Sequence, residues 1–215
     1  MCKFDIENSE IIEENNNYAG KSLIFFNNNY VCTFSKNFVY VLTPDMEILN
    51  KIKINGAPNG FVIDDNKIFM SIYDRFYIYN LKGNLIHSWN LENNPYRSHT
   101  PREITTYKNE IYIVDTAHDC VRVYSYEGLL LRSWGKFGSR PGNFSYLWGI
   151  TIYRGVVFIV DTLNRRIQEF TRHGKFVFEN KYGDRNITHI VIANDCVYIS
   201  DWISCSIVKF KLIYN

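Results

Sequence analysis

The sequence predicts an all-β protein, a five-bladed β-propeller of four-stranded antiparallel blades, and three observations lead there. The first is a motif that recurs: IYIVDTAHDCVRVY at 111–124, VFIVDTLNRRIQEF at 157–170 and VYISDWISCSIVKF at 197–210. Each copy is a strand ending in Asp, a short loop, and a second strand ending in an aromatic. Asp115, Asp161 and Asp201 fall 46 and then 40 residues apart, the period of propeller blades. The second observation is a glycine that returns at one place in the unit. Gly83, Gly128 and Gly174 stand 45 and 46 residues apart, where a tight hairpin between the third and fourth strands needs positive φ. The third is composition: 46% apolar and 16% aromatic residues, mostly Tyr and Phe in short alternating runs that suit half-buried pleated strands.

With the strands of each blade named a to d, the units follow in order. Blade 1, about 22–54, has the runs SLIFF, YVCTF, FVYVL and EILNKIKI. Blade 2, about 60–90, closes with LIHSW, and blade 3, about 103–135, closes with the near-identical LLRSW. Blade 4 spans about 148–183. Blade 5, about 187–215, supplies ITHIVIA, CVYISDW and SIVKFKLIYN and then has no strand d, which leaves an open edge. The segment CKFDIE has no blade of its own, so residues 2–7 are expected to supply that strand and close the ring. Residues 1–20, with the polar run ENNNYAG, are too short and too polar for a sixth blade. All 215 residues then read as one domain, a length that all-β propellers reach without splitting.

Blade 4, LWGITIYRGVVFIVDTLNRRIQEFTRHGKFVF, closely resembles the NHL repeat: a Gly-Ile first strand, the Asp-Thr-x-Asn-x-Arg segment as Asp161, Thr162, Asn164 and Arg166, and a terminal aromatic before Gly-Lys-Phe. Blade 3 keeps Asp115 and Thr116 but has Cys120 where the Arg is expected. Blade 5 keeps Asp201 but has Trp202 and Ser206, and blades 1 and 2 keep only the rhythm. The resemblance implies the propeller fold. Members of that family include RNA binders, protein-binding scaffolds and metal-dependent lyases and hydrolases, so function does not transfer with it. Asp115, Asp161 and Asp201 are expected to be structural, since a carboxylate at a strand end accepts backbone hydrogen bonds in the following turn. Arg166 fits the family's packing position better than a ligand contact.

The net charge of +2, from 24 basic and 22 acidic side chains, becomes informative only when sorted by face. In a propeller the b–c and d–a connections emerge on one face, here the top, and the hairpins a–b and c–d on the other. The top collects Lys36, Arg75, Arg97, Arg102, Lys136, Arg140, Arg165, Arg166, Lys181 and Arg185 against Asp74, Glu92, Asp119 and Asp184. It also owns the long loops 91–101 and 135–147, in which Tyr96, Phe137, Phe144 and Tyr146 interleave with cations. The expected binding surface is therefore Arg75, Arg97, Lys136, Arg140, Arg165, Lys181 and Arg185, with Tyr96, Phe137 and Trp202 as anchors. Two ligands suit it: a protein partner with an acidic surface, ranked first, and single-stranded RNA.

A metal-dependent lyase or hydrolase is the remaining alternative. Aligned first strands put His189 and Glu103 in one column at the channel mouth, with His99 and His118 in top loops as companions. The chain carries no Gly-rich phosphate loop, nucleophile elbow or HExxH, so the expectation is a non-enzymatic module with no cofactor. Five cysteines without a CxxC pair read as reduced thiols. No basic-then-apolar leader and no apolar run near ~18 residues is present, so a soluble cytoplasmic protein without membrane contact is expected.

Overall fold

Alternation with period two runs through nearly every segment, and in the computed structural model it becomes twenty-one strands and no helix among the described residues. The structure describes residues 2–5, 10–14, 25–26, 31–35, 37–43, 45, 47–91 and 101–211. They fall into two compact units, Met1–Ala57 with Leu81–Gly83, and Pro58–Asn80 with Asn84–Asn215. Among the described residues there is no helix long and apolar enough to cross a membrane.

The first unit holds two sheets. Strands β1 (Cys2–Asp5) and β2 (Glu10–Glu14) pair antiparallel with each other, Cys2 opposite Glu14 and Phe4 opposite Ile11. The expected use of residues 2–7 as the last strand of blade 5 is thereby corrected. A local hairpin closes a loop of a few residues, which costs less chain entropy than joining the two ends of the chain. Strands β3 (Phe25–Phe26), β4 (Val31–Ser35), β5 (Phe38–Leu42) and β6 (Ile48–Lys53) form the first blade in sequential order, with Val39, Val41, Leu42 and Ile52 buried.

The second unit carries blades 2 to 5. Blade 2 is β7 (Gly60–Asp64), β8 (Lys67–Ile72), β9 (Arg75–Asn80) and β10 (Leu85–Asn90). Blade 3 is β11 (Pro101–Tyr107), β12 (Glu110–Asp115), β13 (Cys120–Ser125) and β14 (Leu130–Trp134). Blade 4 is β15 (Leu147–Tyr153), β16 (Val156–Asp161), β17 (Arg166–Thr171) and β18 (Phe176–Lys181). Blade 5 is β19 (Ile187–Ala193), β20 (Cys196–Asp201) and β21 (Ser206–Lys211), three strands among the described residues. With the first blade these make the five sheets of a five-bladed β-propeller.

The a–b hairpins turn on Asp65-Asn66, Lys108-Asn109, Arg154-Gly155 and Asn194-Asp195, all with φ between 45 and 80°, the two-residue geometry whose twist matches the flanking strands. The b strands of blades 2 to 4 are buried on both sides because alternate residues serve two cores, whereas β20 of blade 5 is buried on one side only. Tyr112, Val114, Val121 and Val123 of blade 3 face Ile150, Val157, Ile159 and Phe170 of blade 4 in one cluster. Phe158, Val160 and Ile167 of blade 4 face Ile187, Ile190, Val197 and Ile199 of blade 5 in the next. First strands lie side by side, β7 by β11, β11 by β15 and β15 by β19, so they are the inner strands and the d strands the outer ones.

The repeated Trp of LIHSW and LLRSW has a role that sequence reading missed. Trp89 sits under the c–d turn of blade 3, where a Cβ on Gly128 would lie 2.7 Å from the indole, and Trp134 sits under Gly174 of blade 4 in the same way. Both glycines have φ near +82°, so turn geometry and close approach demand the same residue.

Candidate binding face

Pro101 pairs with Asp115, Leu147 with Asp161 and Ile187 with Asp201, which puts the start of each a strand and the end of each b strand at one end of its blade. Hydrogen bonds carry that level from blade to blade. The Thr116 hydroxyl donates to the Leu147 carbonyl, and Tyr146 N donates to the Asp119 carboxylate. This end is the top in the sense used above.

Its most heavily hydrogen-bonded part is the loop from Gly135 to Tyr146. Asp161 is fully buried and accepts from Ser145 N at 2.7 Å, from Asn164 Nδ2, from Arg166 Nε at 2.8 Å and from Gln168 Nε2 at 3.0 Å. Burial pushes its carboxyl up, and the Ser145, Asn164 and Arg166 hydrogen bonds pull against that shift. Arg166, also buried, spends its other donors on the Glu179 carboxylate and on the carbonyls of Ser139, Arg140 and Asn143. Gln168 accepts from Gly142 N, and Asn164 donates to the Gly138 carbonyl. Four side chains of blade 4 thus hold the loop, which turns Lys136, Phe137 and Arg140 outward.

The other two strand-end acids are held differently. Asp115 accepts from His118 Nδ1 at 2.9 Å and Arg122 Nε at 3.0 Å, so the cation absent at Cys120 enters two residues later, on the same side of the strand. Asp201 accepts from Asn186 N, Ile203 N and the Ser204 hydroxyl, with Arg185 at 3.9 Å; the Ser204 bond is the first cause of its lowered pKa.

The expected surface residues separate clearly. Lys136, Arg140, Lys181 and Arg185 are exposed, and Arg75 is exposed with its guanidinium donating to Ser88 Oγ. Arg165 is exposed and paired with Asp184 at 2.5 Å. A pair in open solvent is weak, so it leaves Arg165 available to a partner. Phe137 and Trp202 are 75% and 70% exposed, and they are joined by Tyr73 at 70%, Leu163 at 63% and Ile203 at 68%. Those last three were missed, although an apolar residue in a b–c turn, where polar residues are usual, is the signal that finds them. Tyr96, Arg97 and His99 lie outside the described residues.

Nearer the inner strands the register places Glu103, Gly149 and His189 at one level, two residues after Pro101, Leu147 and Ile187. Glu103 Oε2 reaches across Gly149 to accept from Ile150 N at 2.9 Å, and burial pushes its carboxyl up to about 8. A Cβ on Gly149 would lie 2.7 Å from the Thr188 carbonyl, so glycine is what lets the strands approach. His189 sits by Thr188 and Ser200 with its pKa lowered by burial. His118 is engaged by Asp115, and the described residues contain no group of three or more His, Cys, Asp or Glu placed to hold a metal. Glu103, His189 and His118 are thus not brought together as one ligand set.

No protein-family model matches the chain, and no curated protein sequence matches it. Solved structures do. A streptogramin B lyase superposes with TM-score 0.73 at 14% identity, over 97% of this chain and 75% of that one. A catalytically inactive virginiamycin B lyase from Staphylococcus aureus with quinupristin gives 0.70 at 16%, over 93% and 72%. A protein of unknown function from Bacteroides caccae gives 0.72 at 12%, over 98% and 85%. At these identities the likeness carries the fold alone.

Proposed function

We propose that this chain is a non-enzymatic binding module of NHL-like repeats whose top face recognises a protein partner with an acidic surface. The observation that carries this reading is the combination at one end of the blades of exposed aromatic and aliphatic side chains with exposed cations, of which Lys136, Phe137 and Arg140 stand on a loop held by Asp161 and Arg166. Fixed loops lose little conformational entropy on binding, and large apolar anchors among cations are what an acidic, partly apolar surface fits.

Panning a random peptide display library against the protein tests it. Enriched peptides should combine Asp or Glu with an apolar anchor. They should fail to rebind either the Arg140→Glu, Arg165→Glu, Arg185→Glu triple variant or the Phe137→Ala, Trp202→Ala double variant. Enriched peptides that rebind both variants as well as wild type contradict the reading. Single-stranded RNA is the second reading, favoured by the same cations standing with Tyr73, Phe137 and Trp202, whose rings offer stacking faces. The lyase names among the structural neighbours offer a third, an enzyme, for which the sequence suggested a metal site at Glu103, His189, His99 and His118. It has less support, because Glu103 is committed to Ile150 N and His118 to Asp115.

A further inference from the structure

Arg102 is the second residue of β11 and stands at the top of the inner strands. Its guanidinium carbon lies 4.6 Å from the centroid of the Trp148 ring, and Nη2 reaches the Tyr146 hydroxyl at 3.4 Å, a long and therefore weak hydrogen bond. Arg122, Arg132, Arg154, Arg165 and Arg166 each pair with a carboxylate, whereas among the described residues none pairs with Arg102. Its Nε is buried without an acceptor. The adjacent Glu103 turns away to Ile150 N, and with its pKa pushed up to about 8 it brings no counter-charge at neutral pH. Trp148 also meets the His189 ring of β19 edge-on, ring centroids 6.1 Å apart. Tyr146 keeps φ at +60° and has its amide held by Asp119, so the phenol is set in place by its surroundings.

A stacked guanidinium keeps its in-plane N–H groups pointing outward, and a half-buried cation lacking a counter-charge gains most from a carboxylate that takes two of them. We infer that Arg102, stacked on Trp148 and flanked by the Tyr146 hydroxyl, is the anchor at which the acidic partner sets one Asp or Glu side chain. This rests on the top-face reading above and adds a position to it: the carboxylate goes to the inner rim, and the apolar residues beside it go outward to the Phe137 loop.

The test uses a blocked Glu-Phe-Glu-Phe-Glu peptide and its Gln analogue, followed by the indole N–H resonances of the protein's four tryptophans, with Trp148 assigned by Trp148→Phe. The acidic peptide should shift the Trp148 resonance saturably and the Gln analogue should not. Arg102→Gln should weaken binding about tenfold or more, the loss of one charged hydrogen-bonded pair. Arg102→Lys should weaken it comparably, since an ammonium cannot stack and donate in one plane. Circular dichroism of both variants checks that they are folded. A peptide released by the Arg140, Arg165 and Arg185 reversal but held equally by wild type and Arg102→Gln overturns the anchor and leaves the top-face reading standing. Equal binding of the Gln analogue also overturns it. No binding of the acidic peptide at low salt removes both.

Discussion

Asp161 and Arg166 illustrate how a repeat signature turns into mechanics. Each is buried, and each satisfies the other while gripping the loop that presents Phe137. Removing one partner leaves an uncompensated buried charge, so Arg166→Ala should cost about 3–5 kcal/mol in urea unfolding. The Asp161→Asn, Arg166→Met double variant should recover part of that loss, because both charges go together. A double variant no more stable than the single one would contradict the coupling. Glu103 gives a second prediction at this scale. Its folded pKa, about 8, lies above its ordinary value, so between about pH 4.5 and 8 the native state holds a proton that the unfolded chain has released. The contribution is fully present below the lower limit and is lost as pH rises through the upper one. Glu103→Gln keeps an acceptor for Ile150 N and should abolish this decline, a difference of about 2 kcal/mol between pH 5 and 8 after allowing for residual solvent contact. Parallel thermal melts of the two proteins across that range provide the measurement, and equal slopes would contradict it. The Asp-Thr-x-Asn-x-Arg pattern made Asp161 and Arg166 legible in the sequence, but Arg122 was not, because the pattern points to position 120, where Cys120 stands. Only strand alternation shows that a cation two residues on reaches the same side.

Between elements, the outer-strand Trp and the turn glycine of the following blade behave as one unit. Gly174→Ala puts a methyl into the face of Trp134 and keeps the backbone at φ +82°, so it should cost about 2 kcal/mol. Trp134→Leu makes room for the methyl but leaves the backbone strain. The two substitutions should therefore be less harmful together than the sum of each alone, by about 1 kcal/mol in a double-mutant cycle. Strict additivity would contradict the contact. The c–d turns of blades 2 to 4 were legible because Gly83, Gly128 and Gly174 mark them at one phase. The partner of Trp89 was not, because period-two patterns say which side of a strand a residue occupies and nothing about which turn lies under it. The N-terminal strand failed for a related reason. CKFDIE has strand character, but so does EIIEE a few residues on, and with two acceptors for one strand the nearer one forms the pair.

For the whole molecule, the charge sorting was legible in the order of strands and loops, whereas exposure was not. Leu163 and Ile203 stand out in the sequence only as apolar residues in b–c turns, and the structure supplies their exposure, while Arg165 looks like a free cation until Asp184 is found against it. Phe137→Ala with Trp202→Ala should leave the melting temperature within about 2 °C of wild type, because neither side chain contributes to a core. Peptide binding should fall tenfold or more, because such anchors carry most of an interface's free energy. A large drop in melting temperature would mean that these side chains are structural. The central claim, a top face built for an acidic protein surface, is tested most directly by fluorescence anisotropy. A labelled acidic, apolar peptide and a randomised single-stranded RNA pool are titrated at two salt concentrations, with the Arg140→Glu, Arg165→Glu, Arg185→Glu variant as control. The account predicts saturable peptide binding that is lost in the variant and weakens only moderately with salt. RNA binding that outcompetes the peptide and falls steeply with salt would contradict it, as would peptide binding that the variant retains.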